Sequence, residues 1–165
     1  MTDSTAPAAG SPAPWRVEAS RVSLADRWLT VRSDRCVTGR GHVLDPYHVL
    51  VLPDWVNVVA LTDDGAIVLV REYRHGAGRV MLGLPSGALD PGERDPATAA
   101  ARELAEETGT AARRLVPLGS YSPNPASHSN RCHSFLALGV AASGPRALDA
   151  GEDIAVETMG LRDFA

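Results

Sequence analysis

The sequence predicts a mixed α/β (α+β) fold, built mostly from strands around one central helix. Three observations carry this. Short β-type apolar runs, bounded by Gly, Pro, Asn and Asp, recur along most of the chain. One stretch, near residues 96–108, has apolar positions at helical spacing together with start and stop signals. The chain has 165 residues, 44% apolar and 22% charged, which suits one soluble globular protein with a real core.

Taken in order, residues 1–14, MTDSTAPAAGSPAP, are rich in Ala, Pro, Ser and Thr and are expected to form a disordered tail. They lack the basic region and apolar run of a secretory signal. Residues 15–52 hold WLTVRSDRCV and YHVLVL, which read as strands joined by the turn TGRGH; this predicts a small N-terminal antiparallel sheet. Pro53 and Asp54 break the pattern and open a second region, 53–165. There WVNVVALT, the tight turn DDG and AIVLVREY predict a hairpin over residues 55–73. The stretch RHGAGRVMLGLPSGALDPGE reads as loop with a short strand around Val80–Leu84.

The helix follows. Asp95 is a good N-cap, Pro96 suits the first helical position, and Gly109 suits a left-handed C-cap. Ala97, Ala100, Ala101, Leu104 and Thr108 fall on one arc. Strands are then predicted at Arg114–Tyr121, Cys132–Leu138 and Ile154–Met159, and no internal repeat is visible.

Charge and composition exclude several classes. Sixteen Lys and Arg stand against 20 Asp and Glu, for a net charge of −4, with no basic patch for a nucleic acid. No apolar stretch reaches the roughly 18–20 residues that cross a membrane. Cys36 and Cys132 are far apart and lack metal-ligand spacing, so they read as reduced thiols of a cytoplasmic protein.

The chemistry concentrates on the helix. Glu103, Glu106 and Glu107 sit at i, i+3 and i+4, which places three carboxylates on one face. On an open surface this is an ordinary solvated acidic face. In a cleft their repulsion grows as the dielectric falls, and a hard divalent cation such as Mg²⁺ would relieve it while sharing phosphate oxygens with a substrate.

The stretch GALDPGERDPATAAARELAEETGT, residues 87–110, resembles the Nudix box. Gly87, Glu93, Arg102, Glu103, Leu104, Glu106, Glu107 and Gly109 match its pattern. Eight residues rather than seven separate Glu93 from Arg102, an insertion that falls before the helix where a loop can absorb it. Thr110 stands where an apolar residue is usual. The resemblance implies an α/β/α sandwich with a mixed sheet. It implies metal binding by Glu103, Glu106 and Glu107 with the carbonyl of Ser86, for Mg²⁺ or Mn²⁺ in its place. It also implies a supporting pair between Arg102 and Glu93, and backbone roles for Gly87 and Gly109.

Upstream, VLVREYR and LPSG resemble the ADP-ribose pyrophosphatase branch of that family, with Ser for the usual Ala and Gly83 in place of a glutamate. Pro125 lies near where that branch carries a proline. The branch implies hydrolysis of ADP-ribose or another nucleoside diphosphate sugar, with Arg74 on the substrate phosphates. It further implies that the N-terminal sheet pairs two subunits into a homodimer and that its aromatics, here Trp28 and Tyr47, stack on the base. Glu152, with Asp153 second, matches the late-loop carboxylate that serves as general base. Other substrates of the family (a dinucleoside polyphosphate, coenzyme A, an oxidised nucleoside triphosphate) and a non-catalytic nucleotide-sugar sensor remain as alternatives. The partner expected throughout is a small nucleotide, with neither nucleic acid nor membrane.

Overall fold

The computed structural model describes residues 12–164; the first eleven residues of the expected tail lie outside them. The chain divides into two compact units. One comprises the residues up to Leu52 together with Asn124–Ser129. Its antiparallel sheet is β1 (Arg16–Ala25), β2 (Thr30–Val37) and β3 (Val43–Val51), in that order. The expected sheet is present, with two differences. A full strand, β1, precedes the Asp26 turn, whose carboxylate accepts the N–H groups of Trp28 and Leu29. The last strand begins at Val43 rather than Tyr47. Neither feature shows a clean two-residue alternation: β1 is exposed along its whole length and shifts register against β2 twice. The 124–129 loop is clipped to β3, since Leu50 N–H donates to Ser127 O and Ser129 N–H to Leu50 O.

The other unit comprises Pro53–Pro123 and residues 130–164. Its strands are β4 (Trp55–Leu61), β5 (Ala66–Arg74), β6 (Arg79–Gly83), β7 (Ser86–Ala88), β8 (Thr110–Ala111), β9 (Arg114–Tyr121), β10 (Cys132–Leu138), β11 (Ala141–Ala142) and β12 (Ile154–Gly160). The main sheet runs β12-β5-β4-β10-β9, with β6 on β5 and β7 on β4. β4 and β10 are parallel and the other pairs antiparallel, so the sheet is mixed. Short β8 and β11 pair separately.

Helix α1 (Pro96–Thr108) covers one face of this sheet. Val56, Val58 and Ala60 alternate inward from β4 and meet Val68, Phe135 and Ala137 beneath Ala99, Ala100 and Leu104 of the helix. Burial of these apolar side chains is the main force that docks the helix. Its ends are as expected. The Asp95 carboxylate accepts the Ala97 N–H, Pro96 opens the first turn, and Gly109 ends it at φ 69° with its N–H on Ala105 O. The buried stripe differs from the expected arc, because Ala101 is exposed while Glu103 and Glu107 are buried. The helix is rotated so that two carboxylates face the protein. Helix α2 (Leu161–Phe164) lies against β12 and β5. No described helix is long and apolar enough to cross a membrane.

Candidate active site

The site forms where β7 runs under α1. β7 pairs with β4, placing Gly87 opposite Val56 and Ser86 opposite Asn57, and Pro85 O accepts the Val58 N–H at 2.9 Å. This short strand seats two of the three helix carboxylates. The Ser86 N–H donates to Glu107 Oε2 at 2.9 Å. At Gly87 the missing side chain makes room for the Glu103 carboxyl group: a Cβ built there would lie 2.1 Å from Glu103 Cδ.

Arg102 binds the third and ties the loop to the helix. Its Nη1 donates to Glu103 Oε1 at 2.8 Å and to Glu106 Oε2 at 3.0 Å. Its Nη2 donates to Ala88 O at 3.0 Å and to Glu93 Oε2 at 3.1 Å. The expected Arg102–Glu93 pair therefore forms despite the additional residue in the spacing. A turn over residues 90–93 orients Glu93 for this pair, with Asp90 N–H donating to Glu93 Oε2 and Glu93 N–H to Asp90 O. Burial alone would lower the Arg102 pKa, but Glu93, Glu103 and Glu106 outweigh it and raise it. The Asp90 N–H and Arg102 hold Glu93 below the usual carboxylate range.

Glu103 and Glu107 are 7% and 3% exposed. Desolvation disfavours their charged forms. It pushes Glu107 up to about 8 against the opposing Ser86 N–H, with the charges of Glu103, Glu72 and Glu152 adding to the effect. Burial likewise raises Glu103, opposed by Arg102. Among the described residues no three His, Cys, Asp or Glu side chains converge at metal-binding distance; Arg102 Nη1 is shared between Glu103 and Glu106. The donor chemistry nevertheless fits a hard cation. The groups are oxygens, and the buried carboxylates of Glu103 and Glu107 share one neighbouring cation, Arg102, which bonds Glu103 but not Glu107.

Of the other expected residues, Arg74 lies beside this cluster, its Nη2 3.5 Å from Ser86 Oγ. Glu152 sits in a turn with its Oε2 on the Asp149 N–H, and its charge acts on both Glu103 and Glu107. Tyr47 belongs to the first unit. There it lines a pocket of about 320 Å³ with Trp15, Val49, Pro125 and His128, meets Trp15 edge to face at 5.5 Å, and donates its hydroxyl to Ala126 O. Trp28 is not among the residues lining that pocket; it is 68% exposed, with the Arg27 guanidinium over its ring. Trp15, on the Tyr47 pocket, and Glu72, paired with Arg74, belong to no sequence motif. The signal for Glu72 was present: a glutamate on the same side of β5 as buried Val68 and Val70.

Comparison with known proteins gives concordant matches. Residues 52–164 match the family model of the NUDIX domain, and residues 15–50 that of the nucleoside diphosphate sugar hydrolase N-terminal domain. ADP-ribose pyrophosphatase of Bacillus subtilis is 35% identical over 112 residues, 67% of this chain and 60% of that protein. ADP-ribose pyrophosphatase of Mycobacterium tuberculosis is 36% identical over 110 residues, 67% of this chain and 52% of that protein. The chain thus spans about half to three fifths of these curated relatives. A crystal structure of ADP compounds hydrolase aligns with a TM-score of 0.79 and 26% identity, covering 92% of this chain and 81% of that one.

Proposed function

The chain belongs to the NUDIX family, and on that premise we propose that it hydrolyses the pyrophosphate bond of a nucleoside diphosphate sugar, with ADP-ribose the first candidate. The observation that carries this is the buried Glu103–Glu107 pair seated on Ser86 and Gly87, with Glu106 and Arg102 beside it. Glu103, Glu106 and Glu107, with the Ser86 carbonyl, would hold Mg²⁺, or Mn²⁺ in its place. When bound, the cation supplies neutralisation of charge on the diphosphate oxygens.

The rest falls to the chain's own side chains. Arg74 offers a planar fork of donors to the phosphates. Glu152 accepts the proton of the attacking water. Water oxygen joins one phosphorus as the bridging P–O bond breaks, yielding a nucleoside monophosphate and a sugar phosphate. Arg102 and Glu93 brace the loop, and Gly109 stops the helix. Tyr47 and Trp28 offer aromatic faces for the base. Two buried, unpaired cysteines suit a cytoplasmic enzyme.

A panel of nucleotide sugars, dinucleoside polyphosphates, coenzyme A and oxidised triphosphates, incubated with Mg²⁺ or Mn²⁺ in oxygen-18 water, tests the reading. Mass analysis should find a labelled monophosphate from ADP-ribose or a close analogue, and no turnover across the panel would overturn it. Glu106→Gln should abolish turnover and leave nucleotide affinity mostly intact; a sensor would show no turnover to lose.

The N-terminal sheet is proposed to pair subunits. Its edge strand β1 leaves Val17, Val22 and Leu24 exposed, an apolar edge that soluble monomers rarely keep open. Light scattering should give a mass near twice 17.4 kDa; a monomer at micromolar concentration would refute the pairing.

A further inference from the structure

We propose that Glu72 is a positioning residue whose buried carboxylate fixes the Arg74 guanidinium beside Ser86, where it can receive the substrate's diphosphate. This rests on the reading above that the site takes a nucleoside diphosphate. Alternation along β5 puts Glu72 and Arg74 on the same side as Val68, which packs under α1. Glu72 lies opposite Met81 and Val70 opposite Gly83. A Cβ built at Gly83 would meet nothing within 4 Å, so that stretch of β6 is open.

The two partners are unequal. The Glu72 side chain is 14% exposed and that of Arg74 49%. Glu72 Oε1 is itself buried and accepts no well-aligned hydrogen bond, although the Arg74 guanidinium is paired against it. A carboxylate so placed is tolerated beside a held cation and is costly without one. The pairing therefore restrains a side chain that would otherwise sample many rotamers.

Arg74 links this pair to the rest of the site. Its Nη2 approaches Ser86 Oγ, and the Ser86 N–H holds Glu107. Braced from behind by Glu72, the guanidinium keeps further N–H donors for two phosphate oxygens, and ordering it in advance lowers the cost of binding. Glu72 itself does not touch substrate. Its charge would repel a diphosphate, so its contribution passes through Arg74.

The test uses wild type, Glu72→Gln, Arg74→Gln and the double variant. Affinity for α,β-methylene-ADP, which cannot be hydrolysed, is measured by calorimetry with Mg²⁺, and melting is followed without metal. Glu72→Gln should weaken the analogue about tenfold, the scale of a hydrogen bond to a charged group. It should raise KM by a similar factor and leave kcat nearly unchanged, as loss of uniform binding does. In the Arg74→Gln background it should cost nothing more. Arg74→Gln alone should lower the melting temperature by stranding the carboxylate, and the double variant should recover it. Equal losses in both backgrounds, or no loss in either, overturn the proposal while an active wild type leaves the substrate reading standing. A wild type that neither binds the analogue nor cleaves any nucleotide overturns that reading, and this proposal with it.

Discussion

Glu107→Gln is expected to abolish turnover and, at the same time, to make the metal-free protein more stable at alkaline pH. Both effects follow from one desolvated carboxyl group. In the proposed mechanism Glu107 is a cation ligand seated by the Ser86 N–H. Replacing the carboxylate with a neutral amide should lower kcat/KM by on the order of 10³ or more. Burial raises the same group to about 8 from an ordinary value of 4.5. Its proton is held more tightly in the folded chain than in the unfolded one. That stabilisation is complete below the unfolded pKa and is lost as pH rises through about 8. Wild-type melting temperature without metal should therefore fall from about pH 5 to about pH 8.5, whereas the Gln variant, with no proton to release, should follow a flatter course. Added Mg²⁺ should stabilise the wild type more at the alkaline end, because it supplies the positive charge the proton no longer does. Calorimetry across that range, with chelator and then with Mg²⁺, reads all of this. A Gln variant with the wild-type slope would show that Glu107 is not the group responsible.

The parts of the molecule legible in the sequence are those with local causes. Asp95, Pro96 and Gly109 mark the ends of α1 by chemistry confined to a turn, and the structure places the helix between them. β9 and β10 are apolar runs bracketed by breakers, and their limits are the expected ones. The rotation of α1 was not legible in the same way. An arc of alanines and Leu104 predicts an apolar underside, yet Ala101 lies outside and Glu103 and Glu107 inside. The cause is β7, a three-residue strand with no periodicity of its own, whose Ser86 N–H and bare Gly87 create polar seats far along the chain. β1 escaped notice for a different reason: with every residue exposed, it has no buried face to generate a pattern. The three helix glutamates were found through spacing and family resemblance. Glu72 shares its strand face with Val68 and Val70, which alternation makes readable, but its buried oxygen and its pairing with Arg74 required tertiary information.

The seat at Gly87 leads to a result that separates the presence of a carboxylate from its placement. Gly87→Ala introduces a methyl group 2.1 Å from Glu103 Cδ and 2.1 and 2.3 Å from its two oxygens. The colliding atoms are the end of a flexible side chain, and residue 87 lies in a strand where alanine costs no backbone strain. The fold should therefore survive, with a change in stability within about 1–2 kcal/mol. Glu103 must swing away, however, and in doing so give up its bond to Arg102 Nη1. All three helix carboxylates remain in the protein, but one is displaced by an ångström or more. Misplacement of that size in a preorganised site costs about 10²-fold in rate. Gly87→Ala should accordingly lower kcat/KM and Mn²⁺ affinity by about that factor, with a melting temperature close to wild type. Titration calorimetry with Mn²⁺, steady-state kinetics and thermal melts of the same preparation test it together. Full activity in Gly87→Ala would mean that the position of Glu103 above Gly87 is a resting place rather than the working one.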